Sequence, residues 1–418
     1  MALLYCEGFE TGYTPSGSSI QGSNLSDMWL FQSTTGVTPN FAGSPQSGGR
    51  SGNYAAVLPI KTSPVVTLRC DLSVLGTQTA KKLYVGFGLQ NLSTGYAPDT
   101  GANRGARRFV TFLNAAGVSV ITIDAAVEQG SDLMHLYIGQ GSTTFAKYPL
   151  TSIAATVSKQ TGTNYKGLAV DDWTYVEFMI DMVNNQFALH VEGTPQFLIG
   201  TSDELATYAT TISDIKYVQF SGNGPSTGDN SVRETAVDDF YLADDNGSDL
   251  NTWIGPCRIF NVLPNYDYFL TSDEVWSNYG SAYSNLASND GDNNFVTAAA
   301  INKKQLLSLS PKWANGTYSN ISLTEDEYVA AVQINAVLRK TNFDGSVKPI
   351  YKSAPSTYTD LGPSKVVSSL TYGTKVFVSE SNPVTNANWT LADITDSNQS
   401  TAPYTGFGIQ IADPPPLP

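Results

Sequence analysis

Charge, histidine and cysteine are all scarce in this 418-residue chain. Charged residues make up 14% of it, against a usual ~25%, and acids outnumber bases 37 to 23, for a net charge of −14. A field of that sign repels phosphate backbones, and the basic clusters are only pairs such as Lys81-Lys82 and Arg339-Lys340, so nucleic-acid binding is excluded. The two histidines, His135 and His190, leave little for imidazole catalysis. Cys6, Cys70 and Cys257 are too few and too scattered for a disulfide framework or a zinc site. No apolar run approaches the ~18–20 residues of a helical membrane span. Residues 1–9 carry no basic segment and reach an acid at Glu7, so the expectation is a soluble protein made without an export signal, with no membrane insertion.

Short alternating runs are what the chain does have. Leu83–Leu89, Phe109–Leu113, Val118–Ile123, Trp173–Asp181, Gln186–Glu192 and Ile215–Phe220 alternate apolar with polar residues and are rich in β-branched and aromatic types. That is the pattern of half-buried strands. Gly, Asn, Ser and Pro clusters separate them, as turns require. Strands at this spacing with almost no helical periodicity predict an all-β protein. A polar turn at Asp244–Asp249 predicts a division into residues 1–248, a jelly-roll sandwich, and 249–412, a smaller C-terminal β-sandwich. Residues 413–418 form a Pro-rich tail. One short helix is expected, over Thr297–Leu307 or in Leu391–Asp396.

The densest acidic stretch, Asp229–Asp249, suggests a rim site for Ca²⁺ built from Asp238, Asp239, Asp244, Asp245 and Asn246. Asp290 and Asp292 form a second oxygen-rich loop. For both, a tight turn using Asx chemistry is the preferred reading, and no cofactor is expected. Glycoside hydrolysis needs two carboxylates about 5–9.5 Å apart. Glu177 and Asp181 share a strand face, but no third acid joins them. Gly224-Pro-Ser226 starts a Gly-x-Ser-x-Gly string with no helix pattern after it. His190 is expected at the surface or rim of its strand. No catalytic residue is assigned, and the chain is read as a non-enzyme. Tyr266, Tyr268, Trp276, Tyr279 and Tyr283 are the candidates for aromatic contacts with a sugar or a partner protein, with packing between domains as the preferred alternative.

Several of these segments resemble a family of tailed-bacteriophage virion proteins with an N-terminal concanavalin/laminin-G-like domain. The resemblance lies in Glu7-Gly8-Phe9-Glu10, in Trp29, and in Gly49-Arg50-Ser51-Gly52. It continues in Trp173-x-Tyr175-x-Glu177 and in the junction from Val237-Asp238-Asp239 through Ile254-Gly255-Pro256-Cys257-Arg258-Ile259 to Leu263-Pro264. Beyond the junction it is looser, at Asp290–Phe295, at Val332-Gln333 with Arg339-Lys340, and at Asn382–Thr390. Pro256 stands where the family has an acid, and Cys257 at a variable position.

The resemblance implies a structural protein on the virion exterior, made in the bacterial cytoplasm, acting in assembly and host-surface adhesion from the tail or tail fibre. Capsid decoration or a head fibre is the alternative, and a polysaccharide depolymerase a minor one. Expected partners are other virion proteins, further copies of the chain (most simply a trimer) and host surface glycans. A surface rich in Tyr, Asn, Ser, Thr and Gly suits wet, adaptable contacts of this kind.

Overall fold

The computed structural model describes residues 3–9, 29–33, 50, 55–60, 66–72, 81–91, 107–127, 134–141, 143–149, 173–221, 233–246, 249–260, 264–267, 277–278, 296–297, 304–309, 328–340, 345–354, 357–370, 373–394 and 406–412. They form two compact units, one running to Phe260 and the other starting at Pro264.

The first unit is a sandwich of two antiparallel sheets. Its strands are β1 (Leu3–Glu7), β2 (Trp29–Ser33), β3 (Ala56–Ile60), β4 (Val66–Asp71), β5 (Lys82–Asn91), β6 (Arg107–Leu113), β7 (Ser119–Val127) and β8 (Met134–Gln140). They continue with β9 (Thr143–Pro149), β10 (Trp173–Asp181), β11 (Gln186–Val191), β12 (Thr194–Pro195), β13 (Ala206–Thr207), β14 (Tyr217–Ser221) and β15 (Arg233–Asp244). Among the described residues, one sheet has eight strands in the order β1-β15-β5-β10-β11-β12, with β13 on β11 and β3 on β15; the other runs β2-β4-β14-β6-β7-β8-β9. The jelly-roll character expected from the alternation is thus present, and the chain is all-β.

Period-2 alternation decides what each sheet buries. On β10, Val176, Phe178 and Ile180 face the core, and Phe178 meets Phe87 of β5 at 5.7 Å and Phe187 of β11, its neighbours in the same sheet, at 5.8 Å between ring centroids. Phe87 in turn meets Phe220 edge-to-face at 4.9 Å, and Trp29 meets Phe240 at 5.1 Å. Each such pair adds about 0.5–1.5 kcal/mol beyond the area it buries. The opposite face of β10, with Tyr175, Glu177, Met179 and Asp181, is buried as well. A strand buried on both faces needs a cover on the far side.

The cover is residues 249–260. Sequence placed the division between 248 and 249, but these residues pack with the first unit, and the units part between Phe260 and Pro264. The polar Asp244–Asp249 turn ends a strand rather than a domain.

The second unit is also built of strands: β16 (Pro264–Asp267), β17 (Ser277–Asn278), β18 (Val296–Thr297), β19 (Lys304–Leu309), β20 (Val332–Leu338), β21 (Gly345–Ala354), β22 (Thr357–Asp360), β23 (Lys365–Val367), β24 (Gly373–Ser379) and β25 (Gly406–Ala412). Among the described residues, the order β16-β19-β25-β21-β22, with β23 on β21, makes a six-stranded sheet. The β20–β24 ribbon packs against it through Ala336, Phe377, Val347 and Val367. A second cluster joins Tyr351, Leu361, Trp389 and Phe407. Of the two helix expectations, the first is overturned where described: Val296–Thr297 and Lys304–Leu309 pair as strands, the latter with β25. The second is met by the turn Leu391–Ile394. There Thr390 Nα donates to Asp393 Oδ2 at 2.8 Å and Asp393 Nα to Thr390 Oγ1 at 3.3 Å, a reciprocal cap. The Pro-rich tail lies outside the described residues.

Candidate functional site

The strap 249–260 crosses the outer face of the eight-stranded sheet, and small residues beneath it make the crossing possible. A side chain on Gly86 would overlap the Tyr241 ring and approach the Tyr175 hydroxyl to 2.9 Å. One on Gly88 would meet Arg50 Cδ at 2.6 Å, one on Gly193 would meet Pro256 Cδ at 3.0 Å, and one on Gly8 would overlap the Ile259 carbonyl. Glycine inside a strand often marks such a close approach. Gly193 also shapes the turn between β11 and β12, where Glu192 and Gly193 take φ of 49° and 72°, as a two-residue hairpin of this hand requires.

Four strap residues meet named residues of the sheet. Trp253 stacks on the His190 ring at 3.7 Å and 12°, and meets Tyr84 edge-on at 5.5 Å. Gly255 Nα donates to Glu177 Oε1 at 2.8 Å, and the Tyr241 hydroxyl donates to the same oxygen at 2.6 Å. Cys257 Sγ lies 2.9 Å from the Tyr175 hydroxyl. Ile259 Nα donates to Asp239 Oδ1 at 2.8 Å.

Arg50 is the hub of this set. Its Nα donates to Asp238 Oδ2 at 2.7 Å, and its Nη1 to Asp239 Oδ2 at 2.8 Å and to the Cys257 carbonyl at 2.6 Å. Its guanidinium lies 4.7 Å from the Tyr175 ring centroid. Asp239 occupies a bulge where the register of β15 against β5 shifts between Asp238 and Tyr241, with φ at 49°. The left-handed conformation, which Asp tolerates better than most residues, turns its carboxylate toward Arg50 and the strap.

The electrostatics are those of a sealed interior. Burial pushes the Cys257 thiol up to about 12, with the Asp239 charge acting the same way. Burial likewise holds the Tyr175 and Tyr241 hydroxyls and the Cys6 thiol well above their ordinary values. These groups stay protonated at neutral pH and act as hydrogen-bond partners, not nucleophiles. Glu177 is wholly buried, and Asp181 caps the turn after β10 through the amides of Val183 and Asn184.

The N-terminal strand is held by a similar cluster facing the core. Tyr5 donates to Glu7 Oε2 at 2.7 Å, Phe9 Nα donates to Glu7 Oε1 at 2.9 Å, and Trp29 Nε1 donates to the Tyr5 hydroxyl at 3.0 Å.

Of the residues singled out in sequence, Asp244 and Asn246 form an Asx turn, with Asn246 Nα and Nδ2 each donating to Asp244 at 2.9 Å. Asp245 Oδ1 accepts from Lys81 Nα at 2.9 Å. Asp238 and Asp239 are committed to Arg50 and the strap. Among the described residues, no group of three or more His, Cys, Asp or Glu is arranged to hold a metal ion. His190 is not at the rim: Trp253 covers it, and its Nε2 lies 3.1 Å from Glu204 Oε1. Tyr266 lies on β16 opposite Ser308. Asp290, Asp292, Tyr268, Trp276, Tyr279, Tyr283 and Ser226 lie outside the described residues.

Arg50 and Cys257 were not singled out as partners in sequence. The Gly86-x-Gly88 step within a strand was the available signal that something crosses there.

No protein-family model matches the chain, and no curated protein does. Among solved structures, a structure titled for botulinum neurotoxin type C and its two ganglioside molecules matches at 10% identity and TM-score 0.33, over 92% of this chain and 93% of that one. Lectin I-B4 from Griffonia simplicifolia matches at 11% and 0.29, over 57% and 98%. A sialidase matches at 10% and 0.32, over 52% of this chain but only 17% of its own length. These values report a loose likeness in strand arrangement; the architecture stands on the sheets of this chain.

Proposed function

We propose that this chain is a non-enzymatic structural component displayed on the exterior of a tailed-phage virion, on the tail or tail fibre, where it serves assembly and host-surface adhesion. One observation carries the reading. Most of the residues that give the sequence its resemblance to phage virion proteins have structural work within the first unit. Arg50, Tyr175, Glu177, Asp238, Asp239, Gly255, Cys257 and Ile259 form the strap and its anchor, and Glu7, Phe9 and Trp29 fasten the N-terminal strand to the core.

A shared motif normally marks what a protein must keep. Here it keeps the connection between two sandwiches pinned to the first, as a component handing load from particle to periphery needs. Glu177 Oε1 accepts from the Gly255 amide and the Tyr241 hydroxyl, while among the described residues its Oε2 is buried without a hydrogen bond. Asp181 caps a turn through the Val183 and Asn184 amides. Both carboxylates are fully enclosed, which supports a role without catalysis. Association of several copies, most simply three, follows from the symmetry of virions.

The test is cryo-electron microscopy of the intact particle, with the chain traced into tail or fibre density, together with inhibition of adsorption by the purified protein. Density on the head in hundreds of copies, with adsorption unaffected, overturns the tail reading in favour of capsid decoration.

A further inference from the structure

The loop between β12 and β13 puts apolar side chains into solvent and holds them there. Among the described residues of the first unit, five large apolar side chains are exposed. Val118 and Val183 stand singly at the β6–β7 and β10–β11 turns, but Phe197 (50% exposed), Ile199 (43%) and Leu205 (43%) share this one segment. Alternation explains the outward direction of two of them. Gln196 and Ala206 are buried against β11, with Gln196 Nα donating to the Leu189 carbonyl at 2.9 Å and Ala206 paired with Phe187. Their neighbours Phe197 and Leu205 therefore point the other way.

The loop is tied at several points. Leu198 Nα donates to the Asp203 carbonyl at 2.8 Å, Thr201 Nα to the Leu198 carbonyl at 3.1 Å, and Asp203 Nα to Thr201 Oγ1 at 3.0 Å. Gly200, at φ 84°, makes the reversal. The Tyr148 hydroxyl donates to the Glu204 carbonyl at 2.9 Å, and Ile199 Nα to the Lys147 carbonyl at 3.1 Å. Those two bonds fasten the loop to the edge strand β9. Apolar side chains presented on a fixed backbone lose less entropy on docking than those of a loose loop.

We propose that this patch docks a second copy of the chain, face to face across a twofold axis. With about half of each side chain open, the three expose on the order of 200 Å². Two such patches together form an apolar centre of roughly 400 Å², which fits the middle of a standard interface of about 1,200–2,000 Å². The charges fit the same partner. The loop carries an exposed acid, Asp203, and the strand beside it a base, Lys147, whose ammonium lies 5.3 Å from the Tyr137 ring centroid. A twofold axis sets Lys147 of each copy against Asp203 of the other, so two chains of net charge −14 meet where unlike charges face. A second copy carries that pattern by construction. Lys147 and Pro149 obstruct strand-to-strand pairing along β9, so side chains make the contact. The pairing goes beyond the proposed function and leaves the threefold association to other surfaces.

Sedimentation velocity and light scattering on the full chain, up to about 200 μM, read the pairing as a reversible monomer–dimer equilibrium with Kd of about 100 μM or tighter. Phe197→Ser and Leu205→Ser each weaken it about tenfold and leave the melting temperature of a dilute sample unchanged, since both side chains already stand half in solvent. Asp203→Lys and Lys147→Asp each weaken self-pairing. An equimolar mixture of those two variants pairs as well as the parent, because every charged contact across the axis is again between unlike charges. Three results overturn the proposal: a chain monomeric at about 200 μM, pairing that survives both serine variants, or a mixture no better than its components. Capture of a different virion protein by a monomeric chain also overturns it and names that protein as the occupant. A chain found on the virion tail that stays monomeric fails this proposal and leaves the proposed function standing. A chain that pairs but is absent from the particle does the reverse.

Discussion

Arg50 and Asp239, 189 positions apart in sequence, form an ion pair at 2.8 Å in which the Asp239 side chain is fully enclosed and that of Arg50 is 16% exposed. The pair sits where strap, bulge and sheet meet. Burial by itself disfavours the guanidinium charge, yet Asp239 outweighs it and holds Arg50 above its ordinary value.

Removing the cation strands a buried carboxylate. Arg50→Met is expected to destabilise the first unit by about 3 kcal/mol. Asp239→Asn added to it should restore at least about 1 kcal/mol, because Asn also tolerates the left-handed backbone and brings no charge. Guanidinium denaturation of both single variants and the double variant measures the coupling. A double variant as unstable as the sum of the two singles would show that the pair is not an energetic unit.

Gly86 is the floor on which Tyr241 lies. Gly86→Ala drives a methyl into that ring and into the Tyr175 hydroxyl, so about 1–3 kcal/mol is lost, and the strap should lift before the sheets melt. Limited proteolysis reads this directly: cleavage within 249–260 appears in the variant under conditions where the parent chain resists. Equal protection would mean the ring has another resting place.

Glu177 separates a structural from a catalytic reading. Glu177→Ala leaves Gly255 Nα and the Tyr241 hydroxyl without their acceptor and costs about 3 kcal/mol. Glu177→Gln retains an acceptor oxygen and stays within about 1 kcal/mol of the parent. Incubation of host polysaccharide with the unaltered chain should release no reducing ends. Release that vanishes in Glu177→Gln would make the residue catalytic and sink the structural reading.

The sandwich was legible because alternation reports burial locally. Phe178 and Val176 announce the core face of β10 without knowledge of any partner. The strap was not, because residues 249–260 have no period of their own. Their contacts run to Gly8, Glu177, His190 and Gly193, far away in the chain, and glycines record a close approach without saying to what. For the same reason His190 read as a rim residue: its cover, Trp253, comes from beyond the supposed domain boundary. The acidic stretch was visible, but only the fold distinguishes Asp244, which caps a turn, from Asp239, which pairs with Arg50.

The pH dependence of stability should divide between two buried acids of opposite sign. Asp181 is pushed upward by burial, the largest single influence. The Asn184 amide and side chain, the Val183 amide and Lys82 (Nζ 3.5 Å from Oδ2) together outweigh that and hold it below its ordinary value. A depressed carboxylate stabilises the fold fully above the unfolded-state range and loses that contribution as pH falls through its folded value. The loss therefore begins below about pH 4. Asp244 is raised, chiefly by burial, so its charge opposes folding at neutral pH and that cost fades on acidification. Urea midpoints followed from about pH 7 to pH 2 should show Asp181→Asn less stable than the parent at neutral pH, with the two curves converging toward acid. Asp244→Asn should change the slope in the other direction, losing stability more steeply on acidification than the parent does. Parallel curves for Asp181→Asn and the parent would mean that the turn after β10 does not depend on the carboxylate charge.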